Sequence, residues 1–332
     1  MKRLVAVIVM GVALAAASIS VHGYLKLGSR VGSRTLTLRW EQFPIRYFVT
    51  NSGVSGVSAQ QFQTAAARAF DTWNAVEGAE TSADFAGFTS ASPRNGDGIS
   101  MLGFLNRPDL DRVLAATTFF VDTTDGEILE SDIFFNSAFV WSVASAGESN
   151  RFDVESIALH EIGHLLGLGH SALGETEVRP GGRRVLAAES VMFPIAFSPG
   201  TVEERTLRAD DIAGISDIYA TAEFTRAHGS ISGRVTKNGT GVFGAHITAY
   251  QLETGTLIGG FTLNNDGSYT IGGLEPGPYV LRVEPLDDGD IESFFDATAD
   301  VDLDFRVKFH DRIVAVPKGG GVRNIDITVV PK

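Results

Sequence analysis

The residues that could do chemistry lie within one short stretch, His160-Glu161-Ile162-Gly163-His164-Leu165-Leu166-Gly167-Leu168-Gly169-His170. On a helix, residues four apart share a face, so His160 and His164 can point at one ion. Glu161 falls one position on, beside the ion rather than bound to it. Gly167 can take a left-handed conformation and end the helix. The chain can then turn back and deliver His170 as a third ligand. Three imidazoles leave the fourth tetrahedral position of a zinc ion to water. Zinc lowers the pKa of that water to about 7 and polarises a carbonyl oxygen. Glu161 stands where it can take the water's proton and later pass it to a leaving amine. Two histidines four apart also occur on ordinary helices. The third histidine, with glycines where the turn needs them, favours the metal.

Composition narrows the chemistry further. The chain has 0 Cys, which removes disulfides, thiolate nucleophiles, cysteine zinc sites and iron–sulfur clusters together. Any metal must be held by His, Asp or Glu, and no residues for a further cofactor stand out. A formal net charge of −13 argues against a nucleic-acid partner and offers no polybasic membrane anchor. A length of 332 residues suggests two domains.

Elements that could position the site can be read around it. Met1-Lys2-Arg3 followed by the apolar run Leu4 to Ala17 reads as a signal peptide ending by residue 23, too short for a membrane span. The expected location is therefore secreted or periplasmic; an uncleaved anchor is the alternative. Residues 24–37 show no core pattern. Strand alternation is expected from Leu38 to Trp40 and from Ile45 to Val49. Ser58 and Gln61 form a capping box ahead of an amphipathic helix carrying Phe62, Ala66, Ala69, Phe70, Trp73 and Val76. Short β runs follow at 98–104, 114–121 and 127–135, with Asp125-Gly126 as a hairpin turn. Further helices fit 153–166, capped by Asp153, and 208–219. After Phe224 helical periodicity disappears. Strands at 230–236, 245–250, 269–271, 279–284 and 324–330, separated by Gly-containing turns, suggest a β-sandwich.

The motif HEIGHLLGLGHS, with Ser171 directly after the third histidine, resembles the metzincin metallopeptidases and their matrixin branch in particular. Ser190-Val191-Met192-Phe193-Pro194 is similar to the family's Met-turn, and Leu207 to Tyr219 to its C-terminal helix. The resemblance covers roughly 38–220. It implies an α+β (α/β) domain with a mixed twisted sheet and three main helices. It also implies a secreted zinc endopeptidase in which His160, His164 and His170 bind the metal and Glu161 is the general base. Substrate would pair with an exposed edge strand at Val113 to Thr117, and side-chain selection would come from a pocket walled by Phe193, Pro194 and Ile195.

Departures from the family carry expectations of their own. Ala116 and Leu129 stand where many animal matrixins hold a second zinc, so that site is expected to be absent. With no Cys, latency through a propeptide residue that replaces the zinc-bound water is not expected. An insertion at 174–186 is either a rim of the cleft, a cleavable site or a passive loop. Asp122, Asp125, Glu127, Glu130 and Asp132 form either a structural Ca2+ site, which matrixins often have nearby, or a solvated hairpin. His22, His228, His246 and His310 are scattered and read as ordinary residues.

The C-terminal part is similar to the carboxypeptidase-regulatory-like (transthyretin-like) β-sandwich, on Gly229 to Val235 and Asn265 to Tyr279. The expected organisation is a signal peptide (1–23), a short segment (24–37), a peptidase domain (38–222) and an all-β sandwich (226–332). The partner is a protein or peptide substrate, the protein is expected to be a monomer, and the mature form has no stable membrane span. The alternative is an adhesin-like binding protein on a weak or narrow-specificity peptidase scaffold, against which the intact Glu161 argues.

Overall fold

A computed structural model describes residues 4–9, 26–31, 34–180, 182–296 and 298–332. Most of the expected signal segment, including His22, lies outside the described residues. The α+β part is built on a six-stranded mixed sheet: β1 (Leu4–Val9), β2 (Ile45–Thr50), β3 (Ala83–Thr89), β4 (Ser100–Leu105), β5 (Ala115–Asp122) and β6 (Ile128–Asn136), in the order β1-β5-β6-β4-β2-β3. β2, β3, β4 and β6 pair in parallel, whereas β5 is antiparallel to both β6 and β1. The antiparallel β5 is what gives the cleft its rim. β1 comes from the segment expected to be a signal peptide and here lies along β5 from Thr117 to Asp122, so it covers Thr117, the end of the expected substrate edge, and among the described residues pairs with none of Val113 to Ala116.

α1 (Ala59–Asn74) starts at Ser58, whose side chain accepts from Gln61 in a capping box. It buries Phe62, Ala66, Ala69, Phe70 and Trp73, the face expected from the periodicity. The Trp73 indole donates to Leu159 O at 2.8 Å and so ties α1 to α2 (Val154–Leu165), the helix of the motif. At the start of α2, Asp153 caps Ser156 N at 2.8 Å and takes a two-pronged contact from Arg205 at 2.6 and 2.8 Å. The expected strand at Leu38 to Trp40 is reduced to one isolated bridge, Arg39 to Glu127. The Trp40 backbone N–H goes to the Tyr219 hydroxyl at 3.0 Å and its indole to Leu165 O at 2.8 Å, so this segment clamps the end of α2 and joins no sheet.

The 174–186 insertion is a hairpin, β7 (Gly174–Arg179) with β8 (Gly182–Ala188). α3 (Ala209–Ile218) follows, and Thr221 caps a short helix over Ala222–Ala227 that spans the boundary between the two expected domains.

The C-terminal part is a β-sandwich. One sheet holds β9 (Gly229–Lys237), and the other holds β10 (His246–Gln251) and β11 (Leu257–Phe261). β12 (Ser268–Leu274) pairs with β9, and β13 (Gly277–Glu284) with β10. Strand β14 (Ile327–Val329) closes the first sheet in parallel with β9. Asn238 and Gly239 both have positive φ, 53° and 83°, the turn type that suits a hairpin. β3 and β11 escape sequence reading because glycine, one in β3 and two in β11, interrupts a short, weakly alternating run. The two parts share one continuous core, in which Ala213 and Ile215 of α3 join Ile231 and Ile271 of the sandwich. A Cβ at Gly273 would meet the Ala213 Cβ at 2.8 Å, so glycine there lets β12 lie against α3.

Candidate metal centre

α2 presents His160 and His164 one turn apart, with ring centroids 4.7 Å apart. Gly167 has φ 98° and ends the helix; a Cβ there would also meet Leu38 O at 2.6 Å. The turn brings the His170 ring within 4.7 Å of His164 and 5.3 Å of His160. Each Nδ1 faces a backbone carbonyl: His160 to Val191 O at 2.7 Å, His164 to Leu168 O at 2.8 Å and His170 to Ser293 O at 2.5 Å. A carbonyl can only accept, which assigns the proton of each neutral ring to Nδ1. The Nε2 atoms are then bare lone pairs. His164 Nε2 lies 3.1 Å from His170 Nε2, and neither has a proton to share. One ligand atom from each of the three residues falls within 4.8 Å of the others. Lone pairs gathered this closely repel unless a cation lies between them, and three imidazoles with fixed tautomers fit zinc. Burial, then the neighbouring rings, holds His164 well below the usual imidazole range and His170 at about 3, so the site keeps the neutral form that binds metal.

Glu161 is 5% exposed, and burial pushes its carboxyl up to about 7 against the lowering effect of Thr117. The Thr117 hydroxyl on β5 lies 2.7 Å from Glu161 Oε2, which leaves the other carboxylate oxygen without that contact.

Beneath the histidines, Met192 packs against Gly163. A Cβ on Gly163 would meet Met192 Sδ at 2.3 Å and Trp73 at 2.9 Å. The turn around Met192 is held by Asp211, which accepts from Ser190 Oγ at 2.5 Å, Val191 N at 2.9 Å, Met192 N at 3.2 Å and Arg208 N at 2.8 Å. Its neighbour Asp210 accepts from Ser171 Oγ at 2.6 Å and from Gly259 N of the sandwich at 2.8 Å.

The site opens into a cleft of about 690 Å3, lined on one side by Val113 to Ala116 and on another by Phe193, Pro194 and Ile195. Gly182 and Arg183 of the β7–β8 hairpin also line it, so the insertion is a rim of the cleft.

The matrixin family model matches residues 39–220, more than half of the chain. The chain belongs to the matrixin family. A second family model, the carboxypeptidase regulatory-like domain, matches residues 230–307. This matrixin is 27% identical to Metalloendoproteinase 1-MMP of Arabidopsis thaliana over 67% of its own length and 54% of that relative. It is 43% identical to Metalloendoproteinase 5-MMP of Arabidopsis thaliana over 24% of its own length and 19% of that relative. With Matrilysin of Rattus norvegicus it shares 33% over 28% of each chain. The alignments thus span from about a fifth to about half of the curated relatives.

The acidic residues suggested for calcium are engaged mostly with backbone. Glu130 accepts from Gly96 N and Gly98 N at 2.5 and 2.6 Å, and Asp132 from Met101 N at 3.0 Å. Asp122 and Asp125 accept within their own turn. Among the described residues, the three histidines are the set of His, Asp or Glu whose ligand atoms converge. His246 is buried and sits 3.2 Å from Glu284, and it is not one of the three residues whose ligand atoms converge.

Sequence reading missed Asp290, Glu292 and Ser293 of the β-sandwich, which line the same cleft. The only signal was indirect: Phe294-Phe295 stands in a long acidic stretch, 285–307, outside every strand expected of the sandwich.

Proposed function

We propose that this matrixin is an exported zinc-dependent endopeptidase, with a catalytic unit over 38–222 and a β-sandwich over 226–332. The observation that carries the reading is the convergence of three Nε2 lone pairs beside the buried carboxylate of Glu161. His160, His164 and His170 would hold the ion. Zinc bound there supplies a Lewis acid that acidifies a water and polarises the scissile carbonyl. Glu161 takes the proton of the attacking water and returns it to the leaving amine. Thr117 fixes the carboxylate through one oxygen, which leaves the other for that proton. The backbone at Val113 to Ala116 pairs with substrate, and Phe193, Pro194 and Ile195 wall the pocket that selects a side chain. The relatives' names, metalloendoproteinase and matrilysin, support this activity. The apolar run at the N-terminus supports export, and no described helix is long and apolar enough to cross a membrane.

The test is hydrolysis of an internally quenched peptide by the wild type and by Glu161→Gln, with bound zinc measured in both. We expect the variant to keep its zinc and to lose about 10²–10⁴-fold in kcat. Equal rates in the two proteins would falsify the role of Glu161. Activity that survives complete removal of metal by a chelator would refute the metal-dependent mechanism.

A further inference from the structure

The loop after β13 brings the sandwich to the metal site. Of the three carbonyls that orient the histidines, Val191 O and Leu168 O come from the α+β part, but Ser293 O comes from the sandwich, 123 residues beyond His170. The loop is held in three ways. Phe294 and Phe295 are buried with Phe261, Leu263 and Leu286 in a cluster that includes Ala172, two residues past His170. Asp288 accepts from Thr176 N at 2.8 Å and from Thr176 Oγ1, through its carbonyl, at 2.9 Å, while Arg183 Nη1 donates to Asp287 O at 2.9 Å. Asp290 lies 3.4 Å from Arg183 and 3.6 Å from Arg112. Arg183 belongs to the hairpin rim and Arg112 directly precedes the β5 rim, so one carboxylate ties two rims together. A substrate strand paired with β5 and running toward its N-terminal end meets that contact.

We propose that the loop Asp287 to Phe295 makes the sandwich part of the active site: Ser293 is a positioning residue for His170, and Asp290 with Arg112 and Arg183 closes one end of the cleft. This rests on the zinc reading above. A carbonyl that fixes a ligand's tautomer and ring orientation is commonly worth 10–100-fold in metal affinity. Exposed ion pairs are weak singly, so the loop is released by removing two anchors at once.

The experiment uses the full chain as wild type, Asp288→Ala/Asp290→Ala and Asp290→Glu. Zinc affinity is measured by competition with a chromogenic chelator, and folding by circular dichroism. The double variant is expected to keep its fold and bind zinc about 10–100-fold more weakly. Asp290→Glu is expected to stay near the wild type. A second readout is kcat/KM for quenched peptides lengthened residue by residue at either end. The wild type is expected to stop tolerating extension at one end, and the double variant to regain it. A double variant with wild-type zinc affinity overturns the positioning role, and one with the wild-type length profile overturns the end wall. A wild type that binds no zinc overturns the metal reading instead.

Discussion

Asp210 and Asp211 are neighbours on α3, and each holds a different half of the site. Asp211 faces the turn around Met192 and accepts from four donors that lie within 21 residues of it. Asp210 faces the other way and joins Ser171, directly after the third histidine, to Gly259 of the sandwich 49 residues on. The first half is local: helix, glycine turn and Met192 turn fold on one another within the α+β part. The second half needs the sandwich to dock before Ser293 can meet His170. The contrast teaches that one family's zinc motif can be completed by a carbonyl from another domain. Local geometry then orients His160 and His164, and docking orients His170.

The strongest test of this contrast is Asp211→Ala. It strands buried donors on Ser190, Val191 and Met192 and frees a half-buried one on Arg208. A loss of about 3–5 kcal/mol is expected in chemical denaturation. Zinc affinity should fall as well, because Val191 O orients His160 from the released turn. Asp210→Ala should have a smaller effect. It strands two donors, and a loss of about 2–3 kcal/mol is expected. Hydrogen exchange should quicken first at β11, around the Gly259 amide. If Asp210→Ala instead weakens zinc binding more than Asp211→Ala, the division into a local and a docked half is wrong.

How much of this could be read from the chain follows the same division. The histidines, Glu161 and Gly167 were legible because helix period and glycine conformation fix them over a few residues, whereas Met192 was legible only through the resemblance of Ser190 to Pro194 to the family's Met-turn. The three main helices were legible too, since Ser58 and Asp153 announce two of them and apolar spacing shows their buried faces. Asp210 and Asp211 were legible only as part of the stretch Leu207 to Tyr219 that resembles a helix of the family, because nothing local says that one side chain turns inward to Met192 and the other toward Gly259. Ser293 could not be found at all, since it acts through a carbonyl that every residue carries. The hairpin at 174–188 looked like a loop because Glu177, Arg179, Arg183 and Arg184 give it a polar surface, part of it paired internally. Its partners, Asp287, Asp288 and Asp290, lie in the other domain.

The smallest expected effect concerns the sheet behind both halves and separates it from them. Asp132 on β6 is 1% exposed. One oxygen accepts from Met101 N at 3.0 Å, and the other is buried without a partner among the described residues. Burial, then the charge of Glu130, raises its carboxyl from 3.8 to about 8. The folded protein therefore keeps this proton at neutral pH, whereas the unfolded chain releases it. A raised folded pKa gives stability that is complete below pH 4 and is lost as pH rises through about 8. One such proton contributes at most about 1.4 kcal/mol per pH unit. Asp132→Asn fixes the neutral state without changing shape, so between pH 5 and pH 6 its melting temperature should fall less than that of the wild type, by the few degrees that about 1.4 kcal/mol is worth. Other buried carboxyls, Glu204 and Asp210 among them, keep a residual slope in both proteins, so the difference between the two curves is the quantity that reports on Asp132. Parallel curves would mean that Asp132 is ionised in the folded sheet. The unpartnered oxygen would then need a cation beside it, and added calcium should raise the melting temperature of the wild type but not of Asp132→Asn.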